Sequence, residues 1–212
     1  MKQAPKVEAG IRQRIIDATV ETLREHGIAG ATARGIAATG DFNQALIFYH
    51  FGSLTDLLLE VFRRTSEAQI ARYRAAAAHV NTPAELIQIA RRMHAEDLQT
   101  GALSAVTQLM AAATSDEQVA GVILDRFDDW IAMVREILER VSENHPLGDL
   151  LPAHEAAYGI CAMFLGIELL SGLDPRRSQA DAVFDMLATM AELIPSDRAS
   201  LPKELLTRIT IK

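Results

Sequence analysis

From Ile11 to Glu25 the apolar positions recur at helical spacing. Ile11, Ile15, Ala18 and Thr22 form one stripe, widened by Ile16, Val20 and Leu23. His26-Gly27 ends this segment, since glycine suits the left-handed residue that follows a helix. Thr32 is placed to cap a short second helix from Ala33 to about Ala38, and Asn43 to cap a third that runs to about Phe51. Gly52-Ser53 breaks the pattern. Ser53 or Thr55 then starts a long helix through Leu57, Leu58, Val61 and Phe62 to about Ala78. Further helices are predicted from Pro83 to about Gln99, from Ala102 to about Ala113, and from a Ser115 cap to about Ser142. Two more span Pro152 to Ser171 and Ser178 to Ile194, and Leu201 to Ile211 could form a short last one.

Composition agrees with an all-helical reading. The chain has 212 residues, 49% hydrophobic but only 5% aromatic, with 12 Gly and 7 Pro, so its core is built mainly from Ala, Leu, Ile and Val. No run of about 18 apolar residues stands out, so no membrane span is expected. Lys2, Lys6 and Glu8 near the start, with no apolar stretch, argue against a secretory signal. The single cysteine, Cys161, has no internal partner, and a reduced, cytoplasmic protein is expected. Charge is uneven. Residues 1 to 80 hold 10 Lys and Arg against 8 Asp and Glu, whereas residues 81 to 212 hold 11 against 20. A mildly basic head on an acidic body is compatible with phosphate attraction at one face.

The informative stretch runs from Thr32 to Leu57, TARGIAATGDFNQALIFYHFGSLTDL. It reads as two short helices joined by a tight turn, with Ile36, Ala37, Ile47 and Phe51 placed for a three-helix core. Gln44 and Ala45 stand at the exposed start of the second helix, the position from which side chains reach base edges in the major groove. Over residues 10 to 60 the chain resembles the head of the tetracycline-repressor-like (TetR) family, through Gly27, Thr32, Ile36-Ala37, Phe48-Tyr49-His50-Phe51, Ser53 and Leu57. It departs from the family in three places. The usual Ala-Gly of the turn is Gly40-Asp41, the phosphate-contacting Tyr is Phe48, and the Lys that starts the fourth helix is Leu54.

The resemblance implies an all-α fold of about nine helices that acts as a homodimer on a pseudo-palindromic double-stranded DNA operator and responds to a small-molecule effector. The expected DNA-contacting residues are Thr32, Arg34, Asn43, Gln44, Ala45, Tyr49 and His50, helped by Lys2, Lys6, Arg12 and Arg14 on an N-terminal arm. Gln44 is either a solvated helix-start residue or a bidentate partner of adenine. Ala45 either touches a thymine methyl or merely allows close approach. Tyr49 and His50 are either backbone contacts or packing residues.

In the body, Met93, His94, Met110, Trp130, Met133 and Met163 are either ordinary core or the lining of an adaptable apolar pocket. Family members pair through their last two long helices. Here Ala157, Ile160, Phe164, Leu165 and Glu168, with Val183, Leu187 and Met190, are the expected interface. The domains expected are a DNA-binding head over 1–52, a connecting helix over 53–80, a ligand-binding and dimerisation domain over 81–195 and a tail over 196–212. No phosphate loop, nucleophile elbow or metal-ligand spacing is visible, so neither catalysis, a metal nor a cofactor is expected. The rival reading is a helical adaptor that has lost DNA binding, which the changes at Phe48 and Leu54 would favour.

Overall fold

The computed structural model describes residues 4–100, 109–110, 113, 116–143, 152–173 and 178–193. Among the described residues there are eight helices and no strand. They are α1 (Ala4–Gly30), α2 (Ala33–Gly40), α3 (Ala45–Phe51), α4 (Leu54–Ala76), α5 (Pro83–Thr100), α6 (Glu117–Ser142), α7 (Ala153–Leu173) and α8 (Ser178–Glu192). The ninth expected helix, Ala102–Ala113, lies outside the described residues except for Leu109, Met110 and Ala113, which are helical. The short helix expected over 201–211 lies wholly outside them.

The boundaries follow local chemistry. α1 is broken at Gly27, whose φ of 59° interrupts the helix about one turn after the apolar stripe ends. The Ser53 hydroxyl accepts the Asp56 amide at 3.0 Å and so caps α4, which meets α3 at 66°. At α5, Thr82 Oγ1 accepts the Glu85 amide at 3.2 Å while Glu85 Oε2 accepts the Thr82 amide at 3.2 Å, a reciprocal capping box. The cap of α6 is Asp116 in place of the expected Ser115: its Oδ1 accepts the amides of Gln118 and Val119 at 3.0 and 3.2 Å.

The chain divides into two compact units, one of residues 1–68 and 97–126, the other of residues 69–96 and 127–212. In the first, Ile15, Ile36, Ile47 and Leu57 have no exposed surface and form the centre of a core with Ile16, Ala18, Leu23 and Val61. Thr19 and Thr22 are equally buried, and their hydroxyls donate to the carbonyls of Ile15 and Ala18 at 2.7 Å, so no polar atom is stranded there. Val20, expected on the apolar stripe, is exposed. Leu59, Leu109 and Val119 form a smaller cluster in the same unit.

The first unit also holds a charged clasp. Glu60 on α4 receives Arg12 of α1 at 3.1 Å and Arg64 at 2.8 Å, and Arg63 joins them at 3.1 Å. The Arg12 guanidinium lies over the Phe51 ring, 4.7 Å from its centroid, so one side chain touches α1, α3 and α4 together.

In the second unit Met93, Met133, Ile137, Val141 and Tyr73 are buried together, and Ile131, Ala157 and Cys161 form an adjoining cluster. Burial pushes the Cys161 thiol up to about 12, which leaves it protonated and unreactive, as its apolar setting in the sequence suggests. Arg91 of α5 binds Asp181 and Asp185 of α8 at 2.9 and 2.6 Å. By length and composition the 153–171 segment of α7 could cross a membrane, against the expectation of no such span. Ala157, Cys161, Glu168 and Ser171 are buried within the unit, while most of the segment is not.

The clasp yields a pH prediction. Burial raises the Glu60 pKa, but the hydrogen bonds from Arg63, Arg64 and Arg12 outweigh it and hold the carboxyl at about 2, below its ordinary 4.5. A lowered carboxyl pKa stabilises the fold above the ordinary value, and that contribution disappears as pH falls through the folded value. Glu60→Gln should therefore cost about 1–3 kcal/mol at pH 7, allowing for screening of the half-exposed arginines. The gap to wild type should narrow below pH 4.5, as read by urea denaturation across pH; a gap that does not change with pH would contradict the assignment.

Candidate nucleic-acid interface

Thr32 begins the site. Its Oγ1 accepts the Gly35 amide at 3.0 Å and caps α2 as expected. Residue 35, where a capping box would place Glu or Gln, has no room for one: an added Cβ would lie 2.4 Å from the Gly30 carbonyl oxygen. α2 runs on to Gly40, two residues past its expected end, and buries Ile36 and Ala37.

The turn that follows depends on Gly40 and Asp41. A Cβ at Gly40 would meet the Phe42 ring at 2.2 Å and the Ala18 methyl at 2.7 Å, so the ring fills the space a side chain would need. The left-handed residue that closes α2 is therefore the next one, Asp41, with φ 50° and ψ 59°. Aspartate tolerates this region better than most residues, and Arg14 steadies it by donating from Nη2 to the Asp41 carbonyl at 2.9 Å. Asp41 thus takes the left-handed position at which the family's Ala-Gly has its glycine.

Asn43 Oδ1 accepts the Ala45 amide at 2.9 Å, so α3 begins at Ala45, two residues later than expected. Ile47 is the buried anchor of α3, and around it Asn43, Gln44, Ala45, Phe48 and Tyr49 are exposed. Tyr49 is 75% exposed, which places it on the surface and not in the core. His50 is half-buried and meets the Tyr49 ring edge-on at 4.9 Å. An open concavity lined by Arg34, Ala37, Ala38, Asp41, Phe42, Asn43 and Gln44 joins the two helices. Six of the seven expected contact residues (Thr32, Arg34, Asn43, Gln44, Ala45 and Tyr49) are exposed or flank this face, with His50 at its edge.

The arm residues are differently placed. Arg12 is held by Glu60 and Arg14 by the Asp41 turn, so neither extends freely. Lys6 stands in the first turn of α1, and Lys2 lies outside the described residues. Leu54 packs against the head core, which gives the residue that replaces a family lysine a structural use.

In the second unit the structure brings Met93, Met133 and Trp130 together with Tyr73 and Phe164, and His94 adjoins them. Met110 belongs to the first unit and Met163 is exposed on α7, so neither joins this cluster. Of the expected interface residues, Ala157 and Glu168 are buried within their own unit and Phe164 packs against its core. Ile160, Leu165, Val183 and Leu187 are half-buried, and Met190 is exposed. The large exposed side chains of α7, α8 and the residue after α8 are Tyr158, Met163, Leu170, Met186, Met190 and Leu193. Tyr158, Met163, Leu170 and Met186 were missing from the expected interface. Two apolar sides on α7 looked alike in sequence, and only packing decides which one faces inward.

Residues 15–61 match the family described as bacterial regulatory proteins, tetR family. An HTH-type transcriptional regulator, BetI, of Stenotrophomonas maltophilia is 30% identical over 176 residues, which span 79% of this chain and 84% of that protein. The chain belongs to the TetR family. As such it is a DNA-binding transcriptional regulator with a helix-turn-helix head followed by a ligand-binding domain. Solved structures agree on the fold. A transcriptional regulator from Saccharomonospora viridis in complex with choline superimposes with a TM-score of 0.73 at 19% identity, covering 90% of this chain and all of that one. The fatty acid degradation regulator FadR from Bacillus halodurans gives 0.64 at 18% identity, over 83% and 97% of the two chains.

The turn can be tested directly. Gly40→Ala should destabilise this TetR head by about 1–3 kcal/mol, because the Phe42 ring and Ala18 must both move. Gly121→Ala, where an added Cβ meets nothing within 4 Å, should be neutral or slightly stabilising. Chemical denaturation of both variants measures this, and equal midpoints would show that Phe42 does not depend on the missing side chain.

Proposed function

We propose that the protein is a homodimeric, effector-released repressor that reads its operator with the exposed face of α3. One observation carries this reading: Gln44, Ala45, Phe48 and Tyr49 are exposed together on a helix whose opposite side is sealed by Ile47 against Ile36 and Ile15. Such a surface can enter the major groove without disturbing the core. Gln44 bonds a base edge and Ala45 lets the helix approach. Tyr49, Arg34 and Thr32 hold the phosphate backbone, while Asn43 and His50 flank the contact.

The apolar residues left exposed on α7 and α8 support dimerisation through those helices, since scattered exposure is ordinary but a cluster on two adjacent helices is not. The functional division that follows is a head over 1–52, a connecting helix over 53–80 and an effector and dimerisation domain over 81–195. α4 is unbroken from Leu54 to Ala76 and carries Glu60, so its tilt is the natural route by which an effector shifts the heads. The protein works in the cytoplasm and has no catalytic role.

The test uses an operator selected from random DNA. Gln44→Ala should weaken binding by roughly 1–3 kcal/mol and relax the base preference at one position per half-site. Phe48→Tyr should tighten binding to all sequences about equally, because a hydroxyl hydrogen bond contributes about 0.5–1.5 kcal/mol in each head. If no sequence is enriched, the adaptor reading replaces the repressor. Full affinity and unchanged preference in Gln44→Ala would remove α3 from its reading role.

A further inference from the structure

Two ionisable side chains are buried in the second unit, and they face each other. His94 of α5 and Glu168 of α7 are 5% and 6% exposed, with Nδ1 2.5 Å from Oε1. Around them runs a chain of rings. His94 meets Phe184 at 5.6 Å and Phe164 at 6.2 Å; Phe164 meets Tyr73 edge-on at 6.1 Å, and Tyr73 meets Trp130 edge-on at 5.1 Å. The chain is only 5% aromatic, and its second unit has six Phe, Tyr and Trp residues; four of them stand here. Trp130 and Phe164 are half-buried, so the series of rings extends from the carboxylate towards the surface of the unit.

From this geometry we infer that Glu168 and the rings of Trp130, Tyr73 and Phe164 form a binding site for an organic cation, a protonated amine or a quaternary ammonium with a small apolar substituent. The inference rests on the reading of this unit as the effector domain. A carboxylate and aromatic faces both attract positive charge, and both do so more strongly where water is excluded. An anionic guest would meet the Glu168 charge. A neutral apolar guest would gain nothing from it, although a buried acid costs several kcal/mol to desolvate. If the pair served only to fasten α5 to α7, two apolar residues of similar volume would do so as well or better. His94 holds the carboxylate, and the guest shares or replaces that contact.

The experiment compares three probes with one six-carbon chain: hexyltrimethylammonium, 1-hexanol and hexanoate. Trp130 is the sole tryptophan, so its emission in the full-length protein reports directly from the site. The cation should bind at least tenfold more tightly than either of the others. Glu168→Gln should remove that preference while 1-hexanol binding changes less than twofold. Equal binding of the three probes, no binding of any, or a cation preference that survives Glu168→Gln would each overturn the site. Should Glu168→Gln fail to fold, the three-probe comparison in wild type decides the matter, and Phe164→Leu, which keeps the carboxylate, should still weaken the cation several-fold. Operator binding separates this site from the wider reading. Cation-selective binding that leaves operator affinity unchanged would keep the site and remove its effector role. Release of the operator by 1-hexanol or hexanoate, without cation preference, would keep the effector role and remove the site.

Discussion

The Phe42 ring lies where a side chain at residue 40 would have to be, and the head is arranged around that contact. Gly40 must lack a Cβ, Asp41 takes the left-handed position, and Arg14 of α1 supports the turn. The path of α3 out of this turn decides which residues seal the core and which stay in solvent. Ile47 turns inward, and Gln44, Ala45, Phe48 and Tyr49 are left outside. A functional surface in so short a helix is a by-product of packing on its other side: seven residues cannot hold a helix by propensity alone.

Charge plays two distinct parts. In the first unit Glu60 collects three arginines and ties the stem of α4 to α1 and, through Arg12 on Phe51, to the end of α3. Any tilt of the α4 stem is thereby felt at α3, which suits a regulator better than a rigid scaffold. In the second unit Glu168 meets the His94 ring amid aromatic residues, an arrangement with a high desolvation cost. The first cluster is half in solvent and fastens helices, whereas the second is buried among rings.

Much of the head was legible in the sequence because its signals are local. Thr32, Gly27, Ile36 and Ile47 announce caps, a break and a core through spacing alone, and the structure places each accordingly. The Gly40-Asp41 turn was visible only as a departure, since the reason for Gly40, the Phe42 ring against it, depends on where a side chain folds back. The arginines of the presumed arm were misjudged for the same reason: Arg12 and Arg14 find partners 48 and 27 residues away. In the body, long helices with apolar residues all round gave no inward direction. Phe164 and Glu168 could therefore be placed in an interface although they turn towards their own core, while Tyr158, Leu170 and Met186 were passed over. The pairing of His94 with Glu168 joins residues 74 apart, a separation no periodicity reveals.

The central claim is that two copies of this head, joined through the apolar residues exposed on α7 and α8, read one operator. A hydroxyl-radical footprint of the full-length protein on its selected operator tests this most directly. The account predicts two protected patches related by a twofold axis, with centres about one helical turn or a multiple of it apart, near 34–36 Å per turn. A single protected patch, or uniform protection that follows salt but not sequence, would contradict it.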